Sequence, residues 1–111
     1  MLVQGLAAGK EVRADLEPVA LAGNRATALA LVFSELLQNA LEHGGETVQI
    51  ELTQRNGEVT LAIADDGEGI EADAEGTGLS IVQALVRDEL QGRLDLRHEG
   101  GTRAEVVFPA K

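Results

Sequence analysis

Residues 25–43 run for nineteen positions without glycine or proline and are dense in alanine and leucine. Leu29, Val32, Phe33, Leu36, Leu37 and Ala40 recur there at helical spacing, which predicts a long, buried helix. Asn24 is the expected N-cap, and Gly44–Gly45 the expected stop, since glycine readily takes the left-handed conformation that ends helices. A helix of this kind needs an apolar surface to lie on, and its flanks supply one. Residues 10–16 alternate Val12, Ala14 and Leu16 with polar neighbours until Pro18 breaks the pattern. Residues 47–54 alternate Val48, Ile50 and Leu52, and residues 59–64 alternate Val59, Leu61 and Ile63. Asn56–Gly57 between them is the dipeptide that tight hairpins favour. A second amphipathic helix is expected at 77–90, from Leu79, Ile81, Val82, Leu85, Val86 and Leu90, with Gly92 closing it. Residues 93–98 and 103–108 read as a last pair of strands ended by Pro109.

The order is therefore strand, helix, hairpin, loop, helix, hairpin. Strands and helices do not strictly alternate, which disfavours a doubly wound parallel sheet. The expected fold class is an α/β (α+β) two-layer sandwich: one mixed, mostly antiparallel sheet with helices on one face. A length of 111 residues predicts a single domain, 1–111 with its core at 10–109.

Composition removes several function classes. Nine basic against nineteen acidic residues leave a net charge of −10, which opposes binding to nucleic acid or to an anionic membrane. Aromatic residues are 2%, so stacking platforms for bases are not expected. Cysteine is absent, which removes disulfides, thiolate metal sites and cysteine nucleophiles and is compatible with a cytoplasmic location. No apolar run is long enough to span a membrane, and the first nine residues lack the basic start of a secretory signal. Against that background thirteen glycines stand beside only two prolines, and many cluster in 66–78 and at 100–101. Clustered glycine without proline suggests backbone that must approach a ligand closely, not a flexible linker.

Four local patterns carry chemistry. Glu35, Asn39 and either Glu42 or His43 stack on one face of the first helix; they fit a solvated helix face, or oxygen donors to a hydrated Mg²⁺. Asp65 ends a predicted strand and is followed by Gly67 and Gly69. An acidic turn fits, and so does a carboxylate that accepts an N–H₂ donor from a flat ring. An EF-hand loop does not, because glycine would occupy two of its ligand positions. Gly76–Thr77–Gly78–Leu79 opens the second helix, as a plain turn or as a phosphate cradle. Gly100–Gly101–Thr102 joins two strands, as a hairpin turn does.

Taken together and in order, these patterns resemble the ATP-binding domain shared by histidine kinases, gyrase, Hsp90 and MutL, the GHKL superfamily with its Bergerat fold. Glu35, Asn39 and His43 resemble its N box; Asp65, Gly67 and Gly69 its G1 box; Gly76, Gly78 and Leu79 its G2 box; and Gly101–Thr102 the G3 element of histidine kinases. The stretches 36–43 and 101–109 are most similar to sensor histidine kinases of two-component systems. The short segment between Ile70 and Gly76 resembles their short-lid, HisKA_2-like group.

The resemblance implies a role for each matching residue. Asp65 accepts from the adenine amino group, while Gly67, Gly69 and Ile70 let the loop pass the base. Asn39 holds Mg²⁺, and Glu35 orders a metal-bound water or the attacking group; these two are the expected catalytic residues. His43 lies near the phosphates, Gly76, Thr77, Gly78 and Leu79 form their cradle, and Thr102 supports the adenine pocket through water. Relatives often carry lysine where this chain has Glu42, and Lys10, Arg87 or Arg103 are the cations available in its place. A histidine kinase also needs a dimerisation segment bearing the phosphoacceptor histidine. Only His43 and His98 exist here; His43 belongs to the N box, and His98 is expected to be structural. The implied protein is a monomeric catalytic fragment of a longer kinase that signals to a response regulator. Alternatives are a serine kinase of the anti-sigma-factor type and an ATP-binding or interaction module without transfer.

Overall fold

The computed structural model describes residues 2–7, 9–43, 45–67, 79–98 and 100–110, with the backbone alone at 2, 3, 6, 7 and 43. The elements are β1 (Leu2–Ala7), β2 (Lys10–Leu16), α1 (Gly23–His43), β3 (Thr47–Arg55), β4 (Glu58–Asp65), α2 (Leu79–Ala84), a π-helical turn (Leu85–Glu89), β5 (Arg93–His98) and β6 (Thr102–Pro109). The six strands form one sheet in the order β1-β2-β3-β4-β6-β5. Only β2 and β3 pair in parallel, across the α1 connection; the other four pairings are antiparallel.

Alternation along the strands sends Val48, Ile50, Val59, Leu61, Ile63, Ala104, Val106 and Phe108 to one face. That face meets Ala28, Val32, Leu36 and Ala40 of α1 and Leu79, Val82, Val86 and Leu90 of the second helical segment. The α1 residues that reach the core are spaced four apart, and two of them are alanines. The helix can therefore sit close to the sheet while Leu29, Phe33, Leu37 and Leu41 pack along its flanks. This is the expected two-layer sandwich, with one more strand than the sequence pattern predicts. β1 pairs with β2 from Leu2 opposite Asp15 to Ala7 opposite Lys10, turning at Gly9 with φ 77°. Its sequence, LVQGLA, alternates poorly and carries a glycine, so its strand conformation comes from the pairing and not from local pattern.

The helix ends also differ from expectation. α1 begins at Gly23, and Asn24 lies inside the helix instead of capping it. The Asn24 amide donates to Glu89 Oε2 at 3.0 Å, while the backbone N–H groups of Arg25 and Ala26 both reach the Ala22 carbonyl. Arg25 moors this end: its guanidinium donates to the carbonyls of Leu90 and Pro109 and lies 5.6 Å from the centroid of the Phe108 ring. At the other helix, described from Leu79 onward, Gln91 takes the left-handed conformation (φ 56°), and the Gly92 N–H bonds the Val86 carbonyl at 2.9 Å. Glycine at 92 answers a packing demand: a Cβ there would overlap the Val107 carbonyl and Phe108. The hairpin turn is as expected, with Asn56 and Gly57 both at positive φ, 54° and 79°.

Glu17, just past β2, ties the parallel pair to the β3 end. It accepts from Arg55 at 2.6 and 2.9 Å and from the Gln54 N–H at 3.1 Å. The bidentate guanidinium, with help from the Gln54 amide, lowers the Glu17 pKa from 4.5 to about 2. A depressed carboxylate contributes stability that is complete above its unfolded pKa and is lost as pH falls toward the folded value. The urea midpoints of the parent chain and of Glu17→Gln should therefore differ at about pH 6 and converge as pH approaches about 2. A gap that persists unchanged through that range would contradict the pairing.

Candidate functional site

β4 keeps its alternation to the last residue, so Asp65 faces the same side as Val59, Leu61 and Ile63 and arrives on the apolar face at the sheet's end. Val48 of β3 stands opposite it on one side and Thr102 of β6 on the other. The Gly67 N–H donates to Asp65 Oδ1 at 3.0 Å, a side-chain-to-backbone turn that orients the carboxylate. Asp66, one residue on, accepts the Thr47 N–H at 3.1 Å. Two glycines let neighbours close on this corner. A Cβ at Gly101 (φ 144°) would overlap the Asp65 carbonyl, and a Cβ at Gly45 would overlap the Asp66 carboxylate. Gly45 thus serves the fit of this corner, while Gly44 lies outside the described residues.

The second half of α1 passes above. Leu36, Asn39 and Ala40 share one cavity with Asp65 and Thr102, and Ile63, Leu79, Leu96 and Ala104 complete its walls. The cavity is thus apolar with three polar groups: a carboxylate, an amide and a hydroxyl. Asn39 is buried, and its Nδ2 has no hydrogen-bond partner among the described residues. Thr102 is equally buried, and its Oγ1 lies 3.3 Å from His98 Nδ1. A second recess sits at the other end of α1, walled by Leu16, Leu21, Leu29, Phe33 and Leu52. The side chains that wall it are all apolar and offer no polar side chain to orient a ligand, so the cavity at Asn39 is the candidate site.

Of the residues expected from sequence, the structure brings Asn39, Asp65, Leu79 and Thr102 into one cavity. Gly67 holds Asp65 in place. Glu35 lies one turn before Asn39, half-buried, and is not among the residues walling the cavity. His43 is the last residue of α1, with its side chain outside the description; Gly69, Ile70, Gly76, Thr77 and Gly78 fall outside the described residues altogether. Glu42 is exposed and accepts a bond from Gln38 at 3.0 Å. Arg87 pairs with Asp88 at 2.8 Å on the surface. Arg103 borders a shallow recess with Arg97 next to Gly101 and Thr102. Sequence reasoning missed the walls at Leu36, Ala40, Ile63, Leu96 and Ala104. Alternation marked some of them as core, yet it carries no sign of which core residues border a gap.

The sequence profile of the family described as histidine kinase-, DNA gyrase B-, and HSP90-like ATPase matches residues 24–111. The chain belongs to this ATPase family. It is 38% identical over 98 residues to the sensor histidine kinase PdtaS of Mycobacterium tuberculosis, a match covering 77% of this chain and 19% of that protein. PdtaS of Mycolicibacterium smegmatis is 37% identical over 101 residues, covering 78% and 20%. The chain thus spans about a fifth of the length of these curated relatives. Among solved structures, the blue-light activated histidine kinase of Erythrobacter litoralis EL346 superposes with a TM-score of 0.81 at 29% identity, over 96% of this chain and 36% of that one. The mycobacterial sensor histidine kinase MprB shares the fold, with a TM-score of 0.75 at 23% identity, over 88% and 80%.

An ATPase of this family binds a nucleotide, and the orphaned amide inside the cavity fits a ligand group. Among the described residues no cluster of three His, Cys, Asp or Glu side chains stands ready to hold a metal. An oxygen donor such as Asn39 is compatible only with a cation that keeps most of its coordination in water and phosphate, as Mg²⁺ does. Among the same residues no helix is long and apolar enough to cross a membrane. A buried amide without a partner costs about 1–3 kcal/mol, so Asn39→Leu should raise the stability of the ligand-free chain by about that amount in urea unfolding. A variant less stable than the parent would mean that the amide is satisfied in solution.

Proposed function

We propose that this chain is the ATP-binding catalytic domain of a sensor histidine kinase, presenting Mg-ATP to a histidine on a separate segment of the same kinase. The observation that carries the reading is the buried Asn39 amide, whose Nδ2 has no partner among the described residues, in one apolar cavity with Asp65 and Thr102, in a chain of the ATPase family. The walls at Leu36, Ile63, Leu79, Leu96 and Ala104 take the faces of a flat base and exclude water from its edge. The Asp65 carboxylate accepts from the exocyclic amine of that base, which selects adenine over guanine. Gly67, Gly69 and Ile70 carry the chain past the base, and Thr102 supports the same edge.

The Asn39 side-chain oxygen would hold Mg²⁺, whose chemistry there is to neutralise phosphate charge. That need is acute in a chain of net charge −10, with glutamate at 42 where the family resemblance leads one to expect lysine. Glu35, one turn away, orders a water or the attacking imidazole. His43 and the Gly76–Thr77–Gly78 segment hold the phosphates. Phosphoryl transfer asks chiefly for position and charge neutralisation, so the γ-phosphorus–oxygen bond to ADP breaks as the imidazole nitrogen–phosphorus bond forms, with no covalent step on this chain. The reading carries with it a cytoplasmic location, a downstream response regulator, a monomeric state for 1–111, and no contact with nucleic acid or membrane.

Calorimetry with ATP tests it. Binding is expected to be modest and to need Mg²⁺; equal binding in EDTA would contradict the metal's part. Asp65→Asn should lower affinity about tenfold to a hundredfold, the worth of a hydrogen bond to a charged group, and unchanged affinity would remove Asp65 from the site. No binding at all would favour an interaction module. A phosphorylated partner that survives acid would carry phosphoserine and favour the anti-sigma-factor type of kinase.

A further inference from the structure

At the sheet's end three polar side chains stand in one cross-strand row on the inner face: Asp65 on β4, Thr102 on β6 and His98 on β5. The first two border the cavity. The third reaches it only through the second, with His98 Nδ1 at 3.3 Å from Thr102 Oγ1. A threonine hydroxyl has one hydrogen to give and two lone pairs to offer, and its rotation decides which faces a ligand. A buried hydroxyl next to a base edge therefore has a definite polarity only if something fixes that rotation.

We infer that His98 is a positioning residue that sets this polarity and with it the base preference of the pocket. The inference rests on the nucleotide reading above and adds a residue to it. His98, protonated on Nε2, uses the Nδ1 lone pair to accept the Thr102 hydroxyl hydrogen. The lone pairs of Thr102 are then turned toward the cavity, beside the acceptor oxygens of Asp65. The row presents acceptors only. Facing the 6-substituent, it suits the amine of adenine and repels the carbonyl that hypoxanthine and guanine carry there. With the imidazole removed, the hydroxyl rotates freely and donates to that carbonyl.

The test is calorimetry of the full chain with Mg-ATP and Mg-ITP at one fixed pH, for the parent, His98→Ala and His98→Asn. His98 is exposed, so its replacement leaves the core intact, and a urea midpoint for each variant checks this. A hydrogen bond is worth about 1 kcal/mol, so the ATP-to-ITP affinity ratio should narrow about fivefold in His98→Ala. His98→Asn, with an amide oxygen near the place of Nδ1, should restore it. In a Thr102→Val background the same alanine change should leave the ratio unmoved. Two results overturn the assignment: a ratio constant within about twofold, whether or not both affinities fall, or a widened ratio, which would mean that His98 donates to Thr102. Failure of the parent to bind either nucleotide would overturn the nucleotide reading itself.

Discussion

The cavity depends on one constraint: a carboxylate must end an apolar strand without leaving the apolar face. Register with Val48 and Thr102 puts Asp65 there, and the bond from the Gly67 N–H holds its oxygen. The neighbours can close on it only because two positions lack side chains. Gly101 lies against the Asp65 carbonyl and Gly45 against the Asp66 carboxylate. A methyl group at either glycine would push the corner open and carry the carboxylate with it. Gly45 and Gly101 are thus positional parts of a packed corner.

The same corner costs stability. Folded domains of this size hold a net stability of only about 5–15 kcal/mol, and a buried amide without a partner takes about 1–3 of it. Asn39 sits on the face of α1 that otherwise carries Val32, Leu36 and Ala40 into the core, where an aliphatic side chain would pack without penalty. A polar group kept in such a place offers its binding capacity to something that comes and goes. Compensation lies at the far end of the same helix, where Arg25 joins the start of α1 to Leu90, Pro109 and Phe108. The helix is fastened at one end and incompletely satisfied at the other, and the candidate cavity is at the second.

Much of this was legible in the sequence because it rests on short-range periodicity. α1, the Asn56–Gly57 hairpin and the inward faces of β3, β4 and β6 all follow from alternation or helical spacing. So does the joining of Asn39, Asp65 and Thr102, once the order of motifs is matched to a family. What was not legible depends on contacts between distant segments. β1 is a strand because β2 offers it an edge. Asn24 lies inside the helix, and its amide donates to Glu89, sixty-five positions away. Gly92 is required by β6 and not by the helix it follows. His98 looks like a surface residue until the β5–β6 register sets it opposite Thr102. Glu35 is the reverse case: helical spacing places it with Asn39, yet it is not among the residues walling the cavity.

The central claim is that one ligand is met by α1, β4 and β6 together. Nitrogen-15 NMR of the chain titrated with Mg-ADP reads this residue by residue. The side-chain amide of Asn39 and the backbone amides of Gly67 and Thr102 should shift together with a single binding constant. Shifts confined to the apolar recess around Leu29 and Phe33, or an Asn39 amide that stays still while others move, would contradict it.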